Sequence, residues 1–148
     1  MLGTWFGVGL LPLAPGTWGS IAALPVVWLV HTYLGSAGLL AAAIVVFALA
    51  WWVASIYIAT TEGHDPGEFV LDEVAGQMLA LALALAVMPA NVVIYAAGFG
   101  LFRLMDIAKP WPVNWADRRV GGGLGVVLDD IFAGVYAGAI LLVIFSFF

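Results

Sequence analysis

Long apolar runs alternate with short polar segments along this chain. Residues 1–61, 74–102 and 131–148 contain no Asp, Glu, Lys or Arg. A helix that crosses a bilayer needs roughly 17–25 apolar residues. Fitting that length to the apolar runs predicts spans over 20–34, 37–60, 74–90, 91–108 and 128–148. Residues 2–14 are too few for a span, so we predict a re-entrant or interfacial segment there.

The run 74–102 is divided into two spans because a single helix of that length would be too long. At 1.5 Å per residue it would measure about 43 Å, whereas a hydrocarbon core is about 30 Å thick. Met-Pro-Ala-Asn at 88–91 favours a break near its centre. The resulting hairpin returns the chain to the side that it left. The charged segments 62–73 and 103–130 and the Gly/Pro-rich segment 11–20 are therefore predicted at one membrane face.

Composition supports an integral membrane protein. Hydrophobic residues make up 65% of the 148 residues and charged residues 9%, with a mean hydropathy of +1.15, whereas soluble domains carry about 25% charged residues. We therefore predict an all-α integral membrane helical bundle of about five transmembrane helices, forming a single domain over residues 1–148. The absence of cysteine excludes disulfides and thiolate metal sites. The net charge of −5 argues against nucleic-acid binding, and the confinement of all basic residues to 103–119 predicts that this face is cytoplasmic.

The first charged segment, 62–73, is acidic apart from one histidine. Asp65 followed by a proline predicts a helix start, and in such a helix Asp65, Glu68 and Asp72 would share one face. Ionised carboxylates that enter a membrane are costly unless they are partnered, and an oxygen-only donor set favours Mg²⁺ or a similar hard cation. Asp72 and Glu73 begin the apolar run itself, so they are the strongest candidates. Glu68 is weaker, because it could equally cap and solvate the helix end.

The second charged segment mixes both signs and ends in Asp129 and Asp130 at the mouth of the last span. Paired carboxylates there raise the same energetic problem, so the two segments together can supply metal ligands from two helices. Arg103 and Lys109 could clamp an anionic phosphoryl group. An ordinary ion pair between Arg103 and Asp106 at the membrane edge is the alternative.

The segment before the first span is uncharged but offers hydrogen-bond donors. Free N–H groups at a helix start over 15–20, together with the Thr17 and Ser20 hydroxyls, could hold a phosphate. A tight turn with an N-cap serine explains the same pattern. Arg118 and its neighbour Arg119 could contact no more than anionic headgroups.

Glycine clusters give two further predictions. The glycines at 121–125 predict a flexible loop. Gly134 and Gly138 have the spacing of small residues that allow close helix packing. That packing could lie within the chain or in a homo-oligomer.

Taken together, the polar motifs resemble those of the phosphatidylglycerophosphatase A family. The resemblance covers about residues 4 to 138 and rests on four separated motifs in the family's order, which is a much stronger signal than any one motif. The motifs are Pro15-Gly16-Thr17-Trp18-Gly19-Ser20; Asp65-Pro66-Gly67-Glu68 with Asp72-Glu73 and Gly76; Phe102-Arg103 with Asp106 and Lys109-Pro110-Trp111-Pro112; and Asp117-Arg118, Gly123-Leu124-Gly125-Val126 and Asp129-Asp130 with Ala133-Gly134.

The resemblance implies a Mg²⁺-dependent phosphatase of the bacterial inner membrane, with its active site facing the cytoplasm. Its substrate would be the membrane phospholipid phosphatidylglycerophosphate, which would lose its terminal phosphate to leave phosphatidylglycerol. The implied Mg²⁺ ligands are Glu68, Asp72, Glu73, Asp129 and Asp130. The implied catalytic residues are Asp72, Glu73, Asp129, Asp130 and Lys109, with attack by water or by an Asp nucleophile. The implied phosphate-binding residues are Thr17, Ser20, Arg103, Lys109 and Arg118.

Other functions remain as alternatives. A small cation transporter or channel could use the same carboxylates, but it would spread them in depth along an ion path. A phosphatidyl-alcohol transferase would need a string of aspartates along one segment, which is missing. A non-catalytic homologue is disfavoured by the intact set of charged residues.

Overall fold

The computed structural model describes residues 4–60 and 69–147, and every regular element within them is helical. A 3-10 turn at Val8–Leu10 precedes five helices: α1 (Pro15–Thr60), α2 (Leu71–Leu85), α3 (Val92–Ala108), α4 (Val113–Arg119) and α5 (Gly122–Ser146). The predicted all-α fold is confirmed, and α1 and α5 are each long and apolar enough to cross a membrane. The five predicted spans correspond to the two halves of α1 and to α2, α3 and α5. The short α4 has no counterpart among them.

Gly35 divides α1 into two antiparallel halves. Its φ of 68° and ψ of −172° are not helical, and a positive φ of this size favours glycine. As a straight rod α1 would measure about 69 Å. Gly16 near its start and Ile58 near its end nevertheless line the same cavity, so the chain folds back at Gly35. The predicted division of this apolar run at Gly35 is confirmed.

The predicted hairpin is formed by α2 and α3. Asn91 caps the start of α3, where its side-chain oxygen accepts a hydrogen bond of 3.0 Å from the N–H three residues later. Phe102, late in α3, packs on Gly76, early in α2, whereas Gly98 packs on Leu81. The two helices are therefore antiparallel, and the break near Asn91 is confirmed.

Glycines bring α2 and α5 into close parallel contact. Added side chains would overlap the Asp130 carbonyl at Gly76, the Gly76 backbone at Gly134 and the Leu83 side chain at Gly138. Because Gly134 and Gly138 are buried in this contact, their predicted packing role operates within the chain. A homo-oligomer would have to use another surface.

We expect Gly134→Val to lower the thermal unfolding midpoint of the protein in detergent. Its side chain would collide with backbone atoms of α2, and overpacking of this kind costs about 1–3 kcal/mol. Gly100→Val in α3 is the matched control, because Gly100 is exposed and a Cβ there has nothing within 4 Å. Equal midpoints for the two variants would contradict the close α2–α5 contact.

The entry into α2 differs from the prediction. Asp65 and Glu68 lie outside the described residues. α2 begins at Leu71, and the preceding Val70 has a φ of −132° and a ψ of 7°, so the continuous helix predicted from Asp65 is wrong. Phe69 and Val70 are 7% and 1% exposed, and their burial against α1 holds this pair of residues outside the helix.

The glycines at 121–125 do not form the predicted flexible loop. α5 begins at Gly122 rather than at residue 128. A Cβ at Gly123 would overlap the backbone of Ser55 in the second half of α1. These glycines therefore allow α5 to pack on α1 from its first turn, which starts the helix earlier than predicted.

Candidate active site

A cavity of about 580 Å³ opens at one end of the bundle. Here α1 begins and ends, α2 and α5 begin, and α3 and α4 end. Six carboxylates line it: Asp72, Glu73, Asp106, Asp117, Asp129 and Asp130. Its apolar lining includes Ile58, Phe69 and Val126, and Gly16 contributes backbone. The three polar segments of the sequence thus meet at one site, as the hairpin predicted.

The acidic pairs of α2 and α5 are largely buried. Asp72, Asp129 and Asp130 are 6%, 7% and 3% exposed. The close approach of Gly76 to the backbone of Asp130 brings the two pairs together. Within the described part of the chain, Asp130 Oδ1 and Glu73 Oε2 are buried without a hydrogen-bond partner. Buried carboxylate oxygens of this kind are costly unless a ligand satisfies them.

Lys109 joins three elements at the cavity. Its Nζ donates hydrogen bonds of 2.5 Å to Asp117 Oδ1 and 3.0 Å to Asp129 Oδ2. Partial burial lowers the pKa of Lys109, but the hydrogen bonds to these two carboxylates outweigh that effect and raise the pKa above its ordinary value. The ammonium group is therefore charged at neutral pH. Among the described lining residues, Lys109 is the one cation.

The backbone of Lys109 is itself unusual. It follows the last residue of α3 with a φ of 45° and a ψ of 57°, and its N–H donates to the Met105 carbonyl at 2.9 Å. This left-handed position is normally occupied by glycine, and it costs a residue with a Cβ roughly 1–2 kcal/mol. Strain of this kind concentrates at functional sites. The left-handed backbone at Lys109 ends α3 at the point from which the lysine side chain reaches both α4 and α5.

Arg103 pairs with carboxylates, which matches the alternative that the sequence left open. Its Nη1 lies 2.6 Å from Asp106 Oδ2 and 3.4 Å from Glu73 Oε1. The guanidinium is thus engaged by two residues that line the cavity, while Arg103 is not among the lining residues. In this arrangement it lowers the net negative charge of the site.

The other described candidates, Thr17, Ser20 and Arg118, are not among the residues that line the cavity. Pro15 begins α1, so Ser20 lies in the second turn and is not an N-cap. Thr17 is half-buried, and Ser20 is fully buried with an unpartnered hydroxyl among the described residues. Arg118 is exposed at the end of α4. Glu68 lies outside the described part of the structure.

Sequence reasoning missed Gln77 and did not assign Asp106 or Asp117 to the site. Gln77 is fully buried in α2, and neither of its amide atoms has a partner within residues 4–60 and 69–147. Its signal in the sequence is a single amide inside an apolar run, four residues after Glu73. That spacing puts both side chains on one helix face.

The donor atoms of the cavity suit a hard divalent cation. Over the described ranges no three Asp, Glu or His side chains form a preformed metal-ligand cluster. Mg²⁺ usually keeps several waters and takes one or two carboxylates from the protein, so such a cluster is not required. The unpartnered Oδ1 of Asp130 is available as a ligand atom, and the all-oxygen donor set of the lining fits a hard cation.

Comparison with known proteins identifies the family. The family described as Phosphatidylglycerophosphatase A matches residues 1–145 of this chain. The chain belongs to the phosphatidylglycerophosphatase A family. Its two long apolar helices and this family membership make it a membrane protein.

Relatives of this phosphatidylglycerophosphatase A family member match nearly its whole length. It is 39% identical to Phosphatidylglycerophosphatase A of Escherichia coli (strain K12) over 144 residues, which cover 95% of this chain and 80% of that protein. The protein of the same name from Haemophilus influenzae is 34% identical over 146 residues, which cover 99% of this chain and 86% of that protein. A Bacteroides thetaiotaomicron protein provisionally named a phosphatidylinositol-3-phosphatase is 38% identical over 150 residues, which cover 97% of this chain and 91% of that protein. No solved structure matches the chain.

Proposed function

We propose that this protein hydrolyses the terminal phosphate monoester of phosphatidylglycerophosphate to phosphatidylglycerol and inorganic phosphate. The observation that carries the proposal is the meeting of carboxylates from α2 and α5 with Lys109 in one cavity, in a chain of this family. A phosphate monoester needs positive charge on its oxygens and a group that delivers or activates a nucleophile. The cavity contains residue types for both tasks.

Asp72, Glu73, Asp129 and Asp130 would hold Mg²⁺, with Glu68 as a further ligand from the preceding segment. When bound, such an ion neutralises charge on the phosphoryl oxygens and lowers the pKa of water. A carboxylate of the two pairs either takes the proton of an attacking water or attacks phosphorus directly.

Lys109 would bind a phosphoryl oxygen by exchanging one of its carboxylate partners. Asp117 is the partner that gives way, because its side chain is 40% exposed whereas that of Asp129 is 10% exposed. Water can solvate the released Asp117, so this exchange costs less than exposing the buried Asp129. Arg103 would lower the net negative charge of the site through its pairing with Glu73. Arg118 would contact the headgroup from α4.

The apolar lining suits the lipid part of the substrate. Ile58, Phe69 and Val126 face the same space as the carboxylates. A lipid whose phosphate meets Lys109 would lay its apolar diacylglycerol portion along this wall, because apolar groups are stabilised by contact with one another away from water. We place the cavity at the cytoplasmic face of the inner membrane, because all four basic residues lie in the segment that lines or adjoins it.

A cation channel is less well supported by the same observations. The described carboxylates line a single cavity at one end of the bundle, and the middle and far parts of the spans carry no charged residue. An ion path through the bilayer would need polar groups at several depths.

We expect purified protein in detergent to release inorganic phosphate from phosphatidylglycerophosphate in amounts equal to the phosphatidylglycerol formed. EDTA should reduce release to background, and excess Mg²⁺ should restore it, because the carboxylates need the cation. Phosphatidylinositol 3-phosphate is the comparison substrate, chosen for the name of the Bacteroides relative. Activity that survives EDTA would contradict the metal requirement, and faster release from the inositol lipid would contradict the proposed substrate.

A further inference from the structure

Unpartnered buried polar atoms concentrate where α1, α2 and α3 meet. Of the seven such atoms in the described ranges, five belong to Ser20 of α1, Glu73 and Gln77 of α2, and Arg103 of α3, and the other two belong to Tyr95 and Asp130. Ser20 and Gln77 are both 0% exposed. Natural proteins leave few buried polar atoms unsatisfied, so a group on each of three helices at one junction indicates a bound polar molecule.

Helix register brings these side chains to the same depth. The first half of α1 and α2 both start at the cavity end, so they run parallel, and Gly16 lies against the Glu73 carboxylate. One helical turn further from the cavity come Ser20 on α1 and Gln77 on α2. Arg103 approaches Glu73 from α3, with 3.4 Å between Nη1 and Oε1. The junction therefore lies directly behind Glu73, on the side away from the substrate space.

The junction has the composition of a water site. Its amide and hydroxyl groups offer both donors and acceptors, and a buried water typically makes two to four hydrogen bonds to groups of this kind. The junction is closed to larger ligands, because Ser20 and Gln77 have no exposed surface. A phosphate or headgroup in the cavity cannot reach them.

We propose that Gln77 and Ser20 bind a buried water that donates a hydrogen bond to Glu73 Oε2, which makes Gln77 a positioning residue of the active site. Glu73 is held by Arg103 at Oε1, and a carboxylate held at one oxygen can still rotate about its terminal bond. The water fixes the second oxygen and with it the plane of the carboxylate. This inference rests on the proposed function for its effect on turnover.

Gln77→Met tests the positioning role, because methionine has a similar length and no amide. We expect kcat for phosphate release to fall at least tenfold while KM stays within twofold of the parent value, since the lipid does not touch Gln77. Met78→Leu, at the next buried position of α2, is the matched control and should stay within twofold in both constants. Parental kcat in Gln77→Met, or a loss that appears in KM, would overturn the proposal.

A double-mutant cycle tests the shared water independently of activity. Thermal unfolding midpoints in detergent are measured for Ser20→Ala, Gln77→Met and the double variant. If one water bridges both side chains, either single change releases it, so the double variant should fall short of the summed single effects. Strict additivity would overturn the shared site. A non-additive cycle in a protein that releases no phosphate would refute the proposed function and leave the water site standing.

Discussion

Asp130→Asn is expected to lower phosphate release from phosphatidylglycerophosphate by about 1,000-fold or more, a loss typical of removing a central catalytic group. Asp130 is 3% exposed, and its Oδ1 has no hydrogen-bond partner in the described part of the structure. Asparagine preserves the shape but removes the charge that would bind the cation. Asp72→Asn, on the facing helix, should cause a loss of similar size. Initial rates at saturating Mg²⁺ measure both.

The thermal unfolding midpoint shows whether these variants lose activity because the charge is gone or because the protein no longer folds. A buried carboxylate without a partner is costly, so Asp130→Asn should keep or raise the thermal unfolding midpoint in EDTA, where no cation compensates the charge. Asp117→Asn provides a graded comparison, because its side chain is 40% exposed and it should lose less activity. A wild-type rate in Asp130→Asn would move the site elsewhere, and a collapsed midpoint would mean that the charge is structural.

Lys109→Ala and Lys109→Gly are both expected to lower kcat/KM at least about 100-fold, the usual effect of deleting a group that stabilises transition-state charge. The two variants should differ in stability. Glycine adopts the left-handed backbone of this position without strain, so Lys109→Gly should be about 1 kcal/mol more stable than Lys109→Ala. Rates and urea or thermal unfolding curves measure the two effects separately.

Arg119→Ala is the control for the lysine variants. It removes one positive charge from the same end of the bundle, where Arg119 is exposed and outside the cavity lining, so it should change kcat/KM by less than about threefold, as expected of an exposed charge. A loss like that of Lys109→Ala would assign the effect to general electrostatics. Equal stability of the alanine and glycine variants would show that the backbone at residue 109 is unstrained.

Much of the architecture follows from the sequence, because membrane spans are set by length and by breaks. A bilayer fixes how many apolar residues a span needs, and Gly35 and Asn91 mark positions where a helix must turn or restart. The meeting of the charged segments then follows from counting spans. The five residues predicted as catalytic all line the cavity. Each carries a charged side chain, and burying such a side chain among apolar groups without a partner would be costly.

The predictions from sequence are wrong or incomplete where tertiary packing determines the local structure. Phe69 and Val70 stay outside α2 because their side chains are buried on α1, which no local signal at Asp65 reveals. Gly123 belongs to a helix rather than a loop because Ser55 of α1 lies against it. Gln77 was missed because a single amide in an apolar run predicts no function by itself. Its neighbours on other helices become known only from the structure.

The turn at Gly35 and the break before α3 both lie at the end of the bundle opposite the cavity, and the chain bears no charged residue near them. In the described ranges, the charged side chains therefore lie at one end of the bundle. Under the proposed function, lipid of the leaflet at that end would enter the cavity directly, and its product would return to the same monolayer. Substrate in the other leaflet would first have to be flipped.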